Sequence, residues 1–194
     1  MPFVIRRSVA ASPLPYDPCS PQGLAARWVQ WVAAAGLDES PIDDETGAHG
    51  AANQPTDVWF LAGCRGGRVQ RRVAVPGGRD LFFPVINWWF RADRAPELSA
   101  VLERVHGSVI VDGVPMEPEP IVTPEPFTVT GARFNDVTLR TRPRQIVTTG
   151  LWTSVPAPGP GEHEVHLVAD DGEDVTLDVR YQLLVTVPRS TPWS

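Results

Sequence analysis

Lysine is missing: all 17 basic residues are arginine, set against 23 acidic ones for a formal net charge of −6. A nucleic-acid footprint needs clustered positive charge that releases counterions, so this balance argues against a nucleic-acid partner. Beside plentiful alanine, proline and glycine, the lack of lysine reads as GC-rich coding rather than a functional choice. Long apolar runs are absent too, and nothing approaches the roughly 20 residues that span a bilayer, so no membrane partner is expected. Cysteine is scarce, with Cys19 and Cys64 alone, which excludes a disulfide framework. At the start, Arg6 and Arg7 precede an Ala/Ser stretch that Pro13 interrupts, without the apolar region of an export signal. Both thiols are therefore expected reduced, in a cytoplasmic protein or one carried within a larger assembly.

What the chain does have is turn chemistry. Its 21 prolines and 16 glycines lie between short apolar runs, a pattern of many strands joined by turns within 194 residues, enough for one domain. A Pro-rich arm is read over 1–19, a single domain over 20–188 and a tail over 189–194. One helix is signalled by "SPQGLAARWVQWVAAAG": Ser20 can cap it, Pro21 suits its first position and Gly36 can close it. Leu24, Trp28, Trp31, Val32 and Ala35 fall on one face, a core-facing stripe.

After a polar loop over 39–57 the pattern turns to strands. Val58 to Ala62, Arg68 to Val75 and Leu81 to Ile86 read as a meander, with Gly63-Cys64-Arg65-Gly66-Gly67 as the hairpin turn between the first two. A phosphate cradle would need a helix after those glycines, and a strand pattern follows instead. The basic cluster Arg65, Arg68, Arg71 and Arg72 reads as a solvated hairpin, since adjacent Arg71 and Arg72 point to opposite faces. A short helix follows Pro96, with Leu98, Val101, Leu102 and Val105 at helical spacing, and Asp112-Gly113 signals a small hairpin. Further strands are expected at Phe127 to Thr130, Val137 to Leu139, Gly150 to Trp152, Glu164 to Val168 and Val175 to Val187. The last alternates most cleanly.

Two passages, from "ARWVQW" through "SPIDDETG" to "DVWFLAGCRGGRVQRRVAVPGGRDLFFPVIN" and then "GLWTSVPAPGPGEHEVHLVADDGEDVTLDVRYQLLVTV", cover well over half the chain. In content and order they resemble a family of uncharacterised, mostly secreted, β-rich bacterial proteins. The resemblance implies no enzyme class, cofactor or ligand. Those relatives carry cysteines after the Thr-Gly element and before the "VP-G" turn, where this chain has Ala48 to Ala52 and Val73-Ala74-Val75. Cys64 stands where they commonly have a small hydroxyl residue.

Four constellations could carry chemistry. The acidic loop Asp38, Glu39, Asp43, Asp44 and Glu45 suits Ca²⁺ or Mg²⁺ through oxygen ligands, though a solvated loop with Asx turns accounts for it equally. In Gly161-Glu162-His163-Glu164-Val165-His166, a strand puts Glu164 and His166 on one face and His163 on the other, which favours a surface strand over a metal pair. A metal reading would combine Asp43, Asp44, Glu164 and His166. Cys64 lacks the context of a catalytic nucleophile. In "NWWFRADR", placed between a strand and a helix, one of Trp88 and Trp89 is expected to be less buried, and with Asn87, Arg91 and Trp152 it could form a stacking platform for a sugar or a partner's proline.

The fold is expected to be mainly β, an antiparallel sandwich of jelly-roll or immunoglobulin-like character with one amino-terminal helix and a short mid-chain helix. The expected function is a non-catalytic binding or assembly module, contacting a protein, a second copy or a carbohydrate through its Trp-bearing loops or amino-terminal arm. No nucleophile, base and orienter occur together, and no cofactor is expected. The alternative is a metal-dependent or hydrolytic enzyme using the acidic loop and the His163/His166 strand.

Overall fold

The computed structural model describes residues 13–187. Helix α1 spans Pro21–Ala34, and Ser20 caps it as expected, its Oγ accepting from the Gly23 N–H at 3.1 Å. The helix ends in extended backbone at Ala35, one residue before the expected stop at Gly36. Of the expected arm, residues 1–12 lie outside the described residues, as does the tail over 189–194. Leu14 and Tyr16 pack against the domain, and the Tyr16 hydroxyl bonds the backbone of Glu125.

Among the described residues ten strands form two sheets. The first contains β1 (Val58–Phe60), β3 (Asp80–Arg91), β6 (Glu119–Val122), β7 (Phe127–Val129) and β8 (Arg144–Val155), ordered β1-β3-β8-β6 with β7 also paired to β8. The second contains β2 (Gly67–Pro76), β4 (His106–Val111), β5 (Val114–Met116), β9 (Gly161–Asp170) and β10 (Thr176–Thr186), ordered β2-β10-β9-β4-β5. The protein is mainly β, as expected, and its two sheets share one apolar core. Both sheets are mixed rather than wholly antiparallel, because β1 runs parallel to β3 and β2 parallel to β10. These orders do not establish a jelly-roll or immunoglobulin-like topology.

The expected meander is therefore corrected. β2 lies between β1 and β3 in sequence but belongs to the other sheet, so the glycine-rich segment after β1 is a crossover and not a hairpin turn. The third expected strand runs on through "NWWF" to Arg91. No strand forms at Val137 to Leu139, where the chain turns around the buried Asn135 side chain. Its Oδ1 accepts from the N–H groups of Val137 and Thr138, and its Nδ2 donates to Ala132 O. Helix α2 is short, Leu98–Leu102. The hairpin at Asp112-Gly113 forms as read, with φ of 50° and 79°, the positive values that a tight two-residue turn requires.

The layers explain the apolar pattern. In β1, Trp59 faces the second sheet while Val58 and Phe60 face α1; in β3, Leu81 and Phe83 face the second sheet while Phe82 faces the helix. A strand covered on both faces reads as a continuous apolar run, and a half-buried one alternates, as in β10. No helix among the described residues is long and apolar enough to cross a membrane.

Arg71, expected on a solvated hairpin, is only 1% exposed. Along β2 it shares the inward face of Val73 and Val75, since alternate residues share a side. Its Nη1 donates to Ala62 O at 2.8 Å, Gly63 O at 2.9 Å and Tyr181 Oη at 2.6 Å, and Nη2 donates to Ile42 O at 3.0 Å. Nε donates to Asp44 O. Tyr181 completes the tie, giving its proton to Ala62 O and accepting from Ala62 N–H. Burial raises the pKa of this phenol, outweighing the opposing pull of Arg71, and keeps the hydroxyl proton in place for that bond.

Arg71→Met keeps bulk but takes the donor from the carbonyls of Ile42, Asp44 and Gly63, while Ala62 O and Tyr181 Oη keep each other; each stranded acceptor costs about 1–3 kcal/mol when unpaired and can relax only in part. The expected loss is about 3–5 kcal/mol in urea unfolding, and a loss below about 1 kcal/mol would show that the crossover holds without the guanidinium.

Candidate functional site

Pro84 decides where the site opens. Leu61 continues the parallel β1–β3 pairing by donating its N–H to Phe82 O at 3.3 Å. In that register Leu61 O would next accept from the N–H of residue 84, which proline lacks. The Trp28 indole supplies the missing donor, bonding Leu61 O at 2.8 Å. The chain then leaves β3 at Ala62 and crosses to the second sheet, where Arg71 and Tyr181 hold it.

A cleft of about 230 Å³ lies where the chain has departed. Trp28 and Ile42 line it from the helix and the acidic loop, Gly63, Cys64 and Arg65 from the crossover, residues 84–89 from β3, Val175 from just before β10 and Leu177 from within it. Among the described residues Arg65 is the one charged lining residue, and it is already engaged by Asp43, at 2.6 Å, and by Asp136. Asn87 Nδ2 is buried with no hydrogen-bond partner among the described residues. Buried polar groups are normally satisfied, so an unpartnered donor on a cleft-lining residue calls for an explanation.

Trp88 and Trp89 do point opposite ways, as adjacent strand residues must. Trp88 packs on the core between the sheets, and Trp89 packs under α1 with its ring centroid 6.3 Å from that of Trp28. Both are partly exposed at the cleft. The expected platform is otherwise corrected. Trp152 is 1% exposed, stacked on Phe82 at 5.2 Å and edge-on to Trp28 at 5.5 Å, because its position on β8 faces the helix. Arg91 lies at the exposed end of β3, where it pairs with Asp93 and does not line the cleft. Sequence reasoning missed Pro84 and Arg65. A proline inside an apolar strand was the available signal for the first, since proline is confined to strand edges and bulges.

The candidate metal ligands are held apart. Asp43 pairs with Arg65. The Asp44 carboxylate accepts from the N–H groups of Thr46, Gly47 and His49 and from the Thr46 hydroxyl. Burial works to raise its pKa, but those four donors outweigh it and the net shift is downward. Glu164 and His166 stand on the outer face of β9, pairing with Arg180 and Asp178. Asp44 backs onto the inward-facing Arg71 and Tyr181, so the second sheet separates it from Glu164 and His166. Among the described residues no group of three or more His, Cys, Asp or Glu side chains is placed to hold a metal ion. Among the described residues the Cys64 thiol bonds the carbonyls of Gly66 and Gly67, and no histidine or carboxylate of theirs lines the cleft to take its proton.

A β-rich fold with an aromatic cleft at a broken strand edge is thus what the chain presents. No protein-family model matches it, and no curated protein does. Among solved structures it is similar to the solution structure of Amebosin, at 11% identity over 64% of this chain and 95% of that one, with a TM-score of 0.21, a level that carries no argument about fold or function.

His163 has a separate geometry. Its Nδ1 lies 2.6 Å from Asp112 Oδ2 and its Nε2 lies 2.7 Å from Gly159 O, so both ring nitrogens face acceptors. The Asp112 bond, and then the Gly159 bond, raise its pKa above the ordinary 6.5. A raised folded value means stability present below the unfolded pKa and lost as pH rises through the folded one. His163→Gln should be less stable than the parent at pH 5.5, with the gap closing as pH climbs through the raised His163 value. A gap in thermal midpoint that stayed constant between pH 5.5 and 9 would refute the assignment.

Proposed function

We propose that the protein is a non-catalytic binding module whose cleft receives a polypeptide segment from a partner or a second copy. The observation that carries this reading is the unpartnered Nδ2 of Asn87, a residue that lines the cleft together with Trp28, Trp88 and Trp89. Binding sites combine apolar and aromatic walls with a few convergent polar groups, and partly exposed indoles serve as interface anchors. The cleft is smaller than the roughly 300–1,000 Å³ of drug-sized ligand sites, which suits one or two side chains of a longer chain better than a whole cofactor. Two free thiols, Cys19 and Cys64, support a reducing compartment such as the cytoplasm.

The test uses a capped hexapeptide alternating threonine with valine and carrying one phenylalanine, with cellohexaose as the carbohydrate comparison. At about 1 mM the peptide should shift the indole NMR signals of Trp88 and Trp89, and Trp88→Ala should weaken binding about tenfold without unfolding the protein. Shifts produced by cellohexaose and not by the peptide would replace the polypeptide reading with a carbohydrate one.

A further inference from the structure

We infer that the partner segment docks by adding a strand to the open edge of β3, opposite β8; this rests on the polypeptide reading above. The pairing on the β8 side shows which main-chain groups are free. Trp89 lies across from Thr148, whose N–H and C=O are both taken from the other side by Thr123, at 2.7 Å through its Oγ1 and at 2.9 Å through its N–H. Thr148 therefore has no main-chain group left for β3, and the N–H and C=O of Trp89 turn away from β8 toward the edge. Strand periodicity assigns the same direction to Asn87, two residues earlier. Beside this edge β1 pairs only with Asp80, Leu81 and Phe82, so among the described residues no strand covers residues 84–91 there.

Two residues spaced by two, each presenting a donor and an acceptor outward, are what an extended backbone pairs with. An incoming strand would prolong the position that β1 leaves at Leu61. The cleft lies along the same edge, so a side chain of that strand would enter it beside Trp88 and Cys64. That side chain is uncharged and apolar, because Arg65, the only charge in the wall among the described residues, already has Asp43 and Asp136. The occupant is thus an extended polypeptide with a bulky neutral residue at the cleft position, paired through the main-chain groups of Asn87 and Trp89.

Amide exchange with the same hexapeptide tests this on the intact protein. At saturation, exchange of the Asn87 and Trp89 N–H groups should slow at least tenfold, while Trp88 and Phe90, whose groups already face β8, change less than twofold. N-methylation along the peptide should give two alternating classes: positions facing β3 lose at least tenfold in affinity, and those between them less than threefold. Indole shifts without this alternation overturn strand addition and leave the cleft as a polypeptide site. If neither the indoles nor the amides respond to the peptide, both readings fall.

Discussion

The architecture depends on one buried cation that pairs with no carboxylate among the described residues. Arg71 carries its charge into the core and meets the carbonyls of Ile42, Asp44, Ala62 and Gly63, with the Tyr181 hydroxyl as its fifth acceptor. Taking a guanidinium out of water is costly unless its donors are met, and here all three nitrogens are engaged. The consequence is topological. Ala62 and Gly63 are pulled off the first sheet toward β2 and β10 of the second, so the glycine-rich segment becomes a bridge between layers. The acidic loop is fixed by the same group: Asp44 turns its carbonyl to Arg71, its carboxylate gathers the amides of Thr46, Gly47 and His49, and Thr46 O accepts from Arg72 N–H at 2.8 Å. A loop that could have been a cation site thus has its central carboxylate occupied internally.

That pull works because the first sheet lets go at the right place. Pro84 offers no N–H, Trp28 satisfies the carbonyl that would have used it, and the ladder stops without an orphaned acceptor. Proteins often blunt strand edges with proline and bulges, and β3 has both, its register shifting between Pro84 and Ile86. Protection of an edge does not account for what lies beyond the bulge, where Asn87 and Trp89 still present main-chain groups outward. It also leaves the buried Asn87 amide donor unexplained. The proposed strand addition, on an edge blunted at its start and open further along, accounts for the outward main-chain groups.

Local features of this fold were legible and its long-range ones were not. The Ser20-Pro21 helix start, the Asp112-Gly113 hairpin and the alternation of β10 depend on residues a few positions apart, and sequence spacing reports them directly. The parallel partners of β1 and β2 lie 22 and 110 positions away in register, and no local period encodes them. Arg71 falls between these cases. Its alternation with Val73 and Val75 put it on the inward face, but charge argued for solvent, and only the converging carbonyls of residues far along the chain reverse that expectation. The tryptophans were ambiguous for a related reason. Trp88 and Trp152 both lie on strands, and what separates the platform candidate from the core residue is which faces α1 covers.

The glycine cluster shows how backbone and cleft divide one short segment between them. Gly66 and Gly67 have φ of 146° and 79°, values that side-chain-bearing residues rarely adopt, so the turn into β2 requires glycine at both positions. Gly63 is different: its φ is not in that region, and a Cβ placed there would meet no atom within 4 Å. Neither backbone conformation nor close packing demands glycine at 63. Gly63 is part of the cleft wall beside Cys64 and Arg65, and the space over its Cβ position is open. The openness at that point of the wall is therefore not a by-product of the turn into β2, whose conformational demand falls on Gly66 and Gly67 alone.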